Sequence, residues 1–306
     1  MIRVGIVGFG KIARDQHVPA IAGSDKFVLA ATASRNAQAD GIPAYADIDA
    51  MLANQPTLDA VALCQPPQVR HAAARAALAA GKHVFLEKPP GATLSEVVDL
   101  ARAADAAGVT LFASWHSRYA AGVETARQWI AGKELRRIDI SWKEDVRHWH
   151  PGQAWIWQPG GLGVFDPGIN ALSILTHLLA DPVRLEQAHL EVPANRKAPI
   201  AARLAMRSGS GAPINAEFDW RQTGPQTWDI EVETDAGLLT LSHGGNTLTL
   251  DGVPQPLPAE AEYPELYARF AALIAAGKSD VDVAPFRLVA DAFLTGETSV
   301  TDAFED

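Results

Sequence analysis

Val4-Gly5-Ile6-Val7-Gly8-Phe9-Gly10-Lys11-Ile12-Ala13 sets a G-x-G-x-x-A turn between an apolar run and the start of a helical pattern. If the segment is strand, turn and helix, each small residue has a task. Gly8 permits the tight turn, Gly10 removes a Cβ that would block backbone approach to a pyrophosphate, and Ala13 lets the helix pack closely. The helix N-terminus then offers unpaired N–H groups and a partial positive charge to phosphate. The alternative is an ordinary strand-to-helix turn, and the surrounding pattern bears on the choice.

Outward from this turn, apolar runs at residues 3–8, 28–34, 59–64, 83–87 and 110–113 alternate with alanine-rich helical stretches at 12–22, 69–80 and 95–107. Gly81 and Gly108 follow the last two, where a left-handed residue commonly ends a helix. Near-continuous apolar strands separated by helices predict a parallel sheet covered on both faces. After a helix at 120–131 the pattern turns β-rich, at 137–146, 184–192, 200–207, 214–220, 228–234, 238–242 and 247–250. Asp235-Ala236-Gly237, Gly244-Gly245-Asn246 and Asp251-Gly252 supply hairpin chemistry. A helix at 168–179 lies in this half, and two more, near 265–276 and 285–295, close the chain. The expected fold class is α/β plus α+β: an N-terminal Rossmann fold, residues 1–117, binding NAD(P), and a C-terminal open, mostly antiparallel sheet domain, residues 118–306, binding substrate. Helices need not cover one face of such a sheet, so a homo-oligomer, a dimer or larger, is expected.

Composition narrows the function classes. A chain of 306 residues is long enough for two domains with separate cores and a cleft. A formal charge of -10 argues against neutralising nucleic-acid phosphates, so no nucleic-acid partner is expected. Cys64 is the one cysteine, which excludes an internal disulfide framework and multi-cysteine metal sites and suits a reducing compartment. The chain starts directly in a strand pattern without the regions of a signal peptide, and no apolar segment reaches the roughly 18 residues of a membrane span. A cytoplasmic protein with no membrane partner is expected.

Ligands of open α/β sheets bind beyond the carboxyl ends of the strands. At the second strand end, where an NAD site places Asp or Glu, the chain has Ser34-Arg35. A guanidinium and a hydroxyl suit a 2′-phosphate that a carboxylate would repel, so NADP is the expected cofactor, with NAD also accepted. Arg35 as a solvated residue, or one stacked on adenine, is the alternative. Two further strand ends carry Cys64-Gln65-Pro66-Pro67 and Glu87-Lys88-Pro89-Pro90. Proline lacks an N–H and fixes φ, so each leaves the sheet as a stiff turn that aims its side chains. Lys88 is expected at the nicotinamide; a surface lysine is the bland reading. The expected cofactor contacts are Gly8, Phe9, Gly10, Lys11, Ile12, Ser34, Arg35, Cys64, Gln65, Pro66, Pro67, His71, Glu87 and Lys88.

G-F-G-K-I-A, C-Q-P-P, G-K-H-V-F-L-E-K-P and G-G-L-G-V-F-D-P-G-I-N-A-L together resemble the glucose-fructose oxidoreductase and inositol dehydrogenase family, over nearly the whole chain. Within it, K-I-A-R-D-Q-H-V-P-A-I, W-K-E-D-V-R-H-W-H-P-G-Q and W-I-W-Q-P-G-G-L-G-V-F-D-P-G-I-N-A-L are most similar to bacterial L-arabinose and D-galactose 1-dehydrogenases. The resemblance implies oxidation of an aldose at its anomeric carbon to the lactone. It implies a catalytic group of Lys88, Asp166 and Asn170. Many relatives carry histidine where this chain has Asn170, and an amide has no proton to exchange at neutral pH, so the base is sought at Asp166 or Lys88. Asp166 merely capping a helix is the structural alternative.

For sugar recognition the candidates are His116, Glu144, His148, Trp149, His150, Trp155, Trp157 and Trp228, since aromatic faces cover the C–H patches of a pyranose and carboxylates bind its hydroxyls. The expected substrate contacts are His116, Glu144, His148, Trp149, Asp166, Asn170 and Trp228, with Trp155 and Trp157 given to packing. His148 and His150 lack a nearby ligand cluster, so no metal is expected. Rival readings are a relative acting on another sugar, inositol or a dihydrodiol, and a non-catalytic sensor of NADP or sugar.

Overall fold

The computed structural model describes residues 1–305. Two compact units form: Met1–Trp115 joined by Tyr263–Val283, and His116–Glu262 joined by the chain from Ala284 on.

In the first unit, β1 (Ile2–Val7), β2 (Phe27–Ala33), β3 (Ala44–Tyr45), β4 (Ala60–Leu63), β5 (His83–Leu86) and β6 (Leu111–Ala113) form a sheet in the order β3-β2-β1-β4-β5-β6. Every pairing is parallel. The chain builds outward from β1 on one side and from β4 on the other, so strand order reverses between them, the position at which open parallel sheets bind their ligands. Val4, Ile6, Val61, Ala62, Leu63, Val84, Phe85 and Leu86 are fully buried, as strands covered on both faces require. The flanking helices are α1 (Val18–Ala22), α2 (Ile48–Asn54), α3 (Pro67–Ala79) and α4 (Leu94–Ala107). Thr93 caps α4 by accepting the Glu96 N–H at 3.2 Å, and Gly108 ends it at φ 65°. The regular helix expected over 12–22 instead contains a π-helical turn, Ala13–His17, closed by the Val18 N–H on the Ala13 carbonyl. Pro19 has no N–H for the next rung, so the ladder is interrupted there.

The second unit carries β7 (Leu135–Lys143), β8 (Arg184–Pro193), β9 (Ala201–Arg207), β10 (Pro213–Asp219), β11 (Thr227–Thr234), β12 (Gly237–Ser242), β13 (Thr247–Leu250), β14 (Val253–Pro254) and β15 (Glu297–Thr301). They form one open sheet in the order β14-β13-β12-β11-β7-β10-β9-β8-β15. β10 with β7 and β15 with β8 are parallel, and the other pairs are antiparallel. Period-two alternation buries Ile138, Ile140, Trp142, Ile214, Ala216, Phe218, Ile230 and Val232 on one face. The other face is charged and cross-linked, for example by Lys143 on Glu217 at 2.6 Å. The helices here are α5 (Val123–Ile130), α6 (Val146–Trp149) and α7 (Phe165–Leu178).

The chain then makes α8 (Glu262–Ala276) and α9 (Ala284–Thr295). Residues 118–306 do not form one continuous unit as expected, because Tyr263–Val283 belongs to the first. Tyr267 and Phe270 of α8 pack on Phe27 and Phe85, with ring centroids 5.1 to 5.9 Å apart. Helical periodicity reports that a face is buried, not which sheet buries it. Among the described residues no helix is long and apolar enough to cross a membrane, and no group of three or more His, Cys, Asp or Glu is arranged to hold a metal.

Candidate active site

The turn after β1 fits a dinucleotide pyrophosphate. Gly8 sits at φ +86°, and a Cβ there would lie 2.7 Å from the Gln65 backbone nitrogen, so the turn closes on the segment leaving β4 only with glycine. A Cβ on Gly10 would meet nothing within 4 Å, which leaves its backbone open to an incoming group. Phe9 is buried under the turn, whereas Lys11 and Ile12 are exposed. At the end of β2, Ser34 donates its backbone N–H to Tyr45 at 2.9 Å and Arg35 is exposed.

The two proline segments are tied together. Arg70, buried on α3, donates from its guanidinium to the carbonyls of Gln65, Glu87 and Pro89, so one cation bridges Cys64–Pro67 to the turn holding Lys88. Lys88 is half-buried, its peptide bond to Pro89 is cis, and its backbone N–H donates to Glu87 Oε2 at 2.9 Å. His71 pairs with Asp99 of α4 at 2.8 Å, and this hydrogen bond holds the Asp99 carboxyl below its usual range.

In the second unit β7 ends at Lys143 and delivers Glu144, only 3% exposed, into a cage of ring N–H donors. Trp228 Nε1 donates to Glu144 Oε2 at 2.9 Å and Trp220 Nε1 to Oε1 at 3.3 Å. Asp145 then caps α6 by accepting the Arg147 N–H at 3.0 Å, while the Arg147 side chain holds its carboxyl below the ordinary value. The short helix ends by presenting Trp149 and His150. Trp149 is 38% exposed, its ring centroid 5.0 Å from that of Trp228. His150 Nε2 lies 3.5 Å from Glu144 Oε1 and 3.8 Å from Asp166 Oδ2, and its buried Nδ1 has no hydrogen-bond partner.

Asp166 is placed differently from its expected loop. The helix begins at Phe165, not 168, so Asp166 stands in the first turn of α7, 3% exposed, with Asn170 one turn on along the same face. Pro167 in the first turn costs no hydrogen bond, since those N–H groups lack intrahelical partners anyway. Asp-Pro-Gly reads as turn chemistry and hid the true start. The Asp166 side chain is not the cap of α7; no side chain caps that helix.

The structure thus brings Glu144, Asp166 and Trp220 to His150, and sets Trp149 and Trp228 against each other beside Glu144. His116 pairs with Glu262, its Nδ1 2.6 Å from Oε2. His148 is exposed with its ring on the edge of Trp149. Trp157 is buried against Trp220, centroids 5.1 Å apart, as packing requires. Sequence reasoning missed Arg70, Trp220 and His17. Arg70 sits in an alanine-rich helix and reads as a surface charge; Trp220 gave no signal beyond being a tryptophan; His17 lies two residues before Pro19 within a helical pattern, and its cue is its place in the K-I-A-R-D-Q-H-V-P-A-I stretch.

The first unit thus carries a glycine turn shaped for a dinucleotide at its topological switch point, and the second a buried carboxylate–imidazole–tryptophan group; the relatives of the chain show the class, a nicotinamide-dependent oxidoreductase. The chain matches the model of the oxidoreductase family with an NAD-binding Rossmann fold over residues 2–114. It is 47% identical to the galactose 1-dehydrogenase of Pseudomonas fluorescens, across 100% of this chain and 99% of that protein. A crystal structure of a D-galactose-1-dehydrogenase protein from Rhizobium etli superposes with a TM-score of 0.95 at 59% identity, covering 99% of this chain and 98% of that one. The fold alone is shared with the 3-ketoreductase of Actinomadura kijaniata solved with NADP and TDP-benzene, at a TM-score of 0.85 and 18% identity over 98% and 99% of the two chains. This protein belongs to the glucose-fructose oxidoreductase and inositol dehydrogenase family.

Proposed function

We propose that the chain is an NAD(P)-dependent aldose 1-dehydrogenase that oxidises D-galactose, and L-arabinose of the same ring pattern, at C1 to the lactone. The single observation that carries this reading is the group around His150: two buried carboxylates, Glu144 and Asp166, within 3.5 and 3.8 Å of one imidazole, with Trp228 donating to Glu144 and Trp149 packed on Trp228. Aromatic faces over acceptors suit a pyranose, which offers C–H patches on its faces and hydroxyl donors at its edge. The full-length likeness to proteins named galactose 1-dehydrogenase supports the same substrate.

The oxidation removes a hydride from C1 and a proton from its hydroxyl. When bound, the nicotinamide supplies the acceptor for the hydride. Asp166 is the proton acceptor, and the imidazole of His150 beside it provides a second station toward Glu144. Lys88 orients the C1 hydroxyl. Asn170, without a titratable proton, hydrogen-bonds a neighbouring hydroxyl. Glu144 is held ready as an acceptor by two indole N–H groups, and Trp149 and Trp228 cover the ring. In the first unit Gly8, Gly10 and the backbone from Phe9 to Ile12 hold the pyrophosphate, with Ser34 and Arg35 favouring a 2′-phosphate, hence NADP over NAD.

We further propose that two or more copies pair through the open face of the nine-stranded sheet, and that the protein works in the cytoplasm, the reducing compartment its single cysteine suits. The test is nicotinamide reduction followed by absorbance over a panel of pentoses, hexoses and inositol with each dinucleotide. Turnover of D-galactose above all others supports the reading; turnover confined to inositol moves the substrate class, and none with any sugar leaves a sensor.

A further inference from the structure

We propose that His17, Glu87 and Tyr263, with Tyr267 behind them, form a buried positioning device for Lys88, completed by the return of α8 to the first unit. The proposal rests on the reading of Lys88 as the residue that orients the reacting hydroxyl.

Glu87 is 3% exposed and His17 0%. Glu87 Oε1 accepts from the Tyr263 hydroxyl at 2.8 Å and from His17 Nε2 at 3.0 Å, while Oε2 accepts the backbone N–H of Lys88 at 2.9 Å. The second ring nitrogen of His17 is 2.8 Å from the Tyr267 hydroxyl. On the other side Arg70 takes the carbonyls of Glu87 and Pro89. The N–H of Lys88 and the carbonyls on either side of it are therefore each held by a buried charged side chain. The peptide cannot turn without breaking one of them.

A core built only to fold would not use these groups. Burying a carboxylate and an imidazole costs desolvation, and replacing such pairs by apolar side chains is often neutral or stabilising. An apolar residue at position 87 would, however, leave the Lys88 N–H without its acceptor. What the ion pair provides, and packing would not, is a fixed direction for the residue that follows. The ligands of the cluster come from the π-turn (His17), β4's end (Cys64), α3 (Arg70), β5's end (Glu87) and α8 (Tyr263, Tyr267), so five separate segments converge on one peptide. Burial works to discharge His17, while its contacts with Cys64, Tyr267 and the Glu87 carboxylate work the other way, and the net direction is a pKa well above the ordinary value.

The test uses the full chain and the variants Tyr263→Phe, Glu87→Gln and Lys88→Ala, with thermal unfolding to verify that each folds. In Glu87→Gln, hydrogen exchange of the amides in residues 84–91 of the cofactor-free protein should quicken at Lys88. Its kcat should fall about a hundredfold, with KM for sugar and dinucleotide little changed, as a displacement of an ångström would produce. Tyr263→Phe, which keeps the ring and removes one donor, should lose about tenfold in kcat. Adding Glu87→Gln to Lys88→Ala should cause little further loss, because the carboxylate acts through the lysine. Wild-type turnover by Lys88→Ala would overturn the reading of Lys88. A large loss in Lys88→Ala, combined with unaltered exchange and turnover in Glu87→Gln or with fully multiplicative losses in the double variant, would overturn the positioning device alone.

Discussion

Glu87 and Glu144 are two glutamates of equal burial, each 3% exposed, one in each unit, and each faces a histidine and aromatic donors. They differ in how tightly they are held. Glu87 has bonds of 2.8, 2.9 and 3.0 Å to tyrosine, backbone and a wholly buried imidazole. Glu144 has one close indole at 2.9 Å, a longer one at 3.3 Å, and a histidine at 3.5 Å whose other nitrogen has no partner. A saturated carboxylate can only hold neighbours in place; an incompletely matched one has capacity left for a ligand or a moving proton. The contrast separates support from chemistry within one chain.

The largest effect is expected beside the looser carboxylate. Asp166→Asn should lower kcat by about 10² to 10⁴-fold, the range of one positioned base, with sugar KM nearly unchanged. Near-normal steady-state turnover would remove Asp166 from the role of acceptor. Around the tighter carboxylate, loss of its cation should show in stability as well as in turnover. His17→Ala leaves Glu87 buried without its cation and should cost about 3 to 5 kcal/mol in denaturant unfolding, whereas Glu144→Gln should cost far less and act on sugar KM. Similar unfolding losses for both would erase the distinction.

The pH dependence sharpens it. His17 is raised in the folded protein, so its contribution is fully present below the unfolded value of about 6.5 and is lost as pH rises through the higher folded value. The stability gap between wild type and His17→Gln should therefore be widest below that pH and narrow toward alkaline conditions; a gap constant with pH would show that the charge plays no part. A smaller effect is expected at the dinucleotide end. Arg35→Ala should raise Kd for NADP by about tenfold or more, the worth of a charge-assisted hydrogen bond, and leave NAD nearly untouched in a binding titration. Equal losses would undo the 2′-phosphate role. Smallest is Trp149→Ala, which removes a partly exposed ring and should raise sugar KM severalfold at unchanged kcat.

Much of this was legible in the residue order. The glycine turn, the apolar strands and the two proline segments follow local rules, and the parallel sheet and the open, mostly antiparallel sheet formed as those rules predict. Where several local signals competed, the reading slipped. Asp-Pro-Gly read as a loop but starts α7, and the short strand β15 has too weak an alternation to announce itself beside β8. His150 read as one sugar contact among many, because its neighbours Glu144 and Asp166 lie 6 and 16 residues away, beyond any helical or strand period.

By itself the sequence determined the class of fold, the dinucleotide turn and the residue types available for chemistry, since all three depend on short-range sterics, hydrophobic period and backbone geometry. Tertiary structure alone decided that α8 joins the first unit, that Arg70 and Glu87 clamp the backbone around Lys88, and that one imidazole lies between two carboxylates. Such choices turn on which buried surfaces and polar groups find each other across distant segments, and an amino-acid pattern records that a group must be buried or paired without recording its partner.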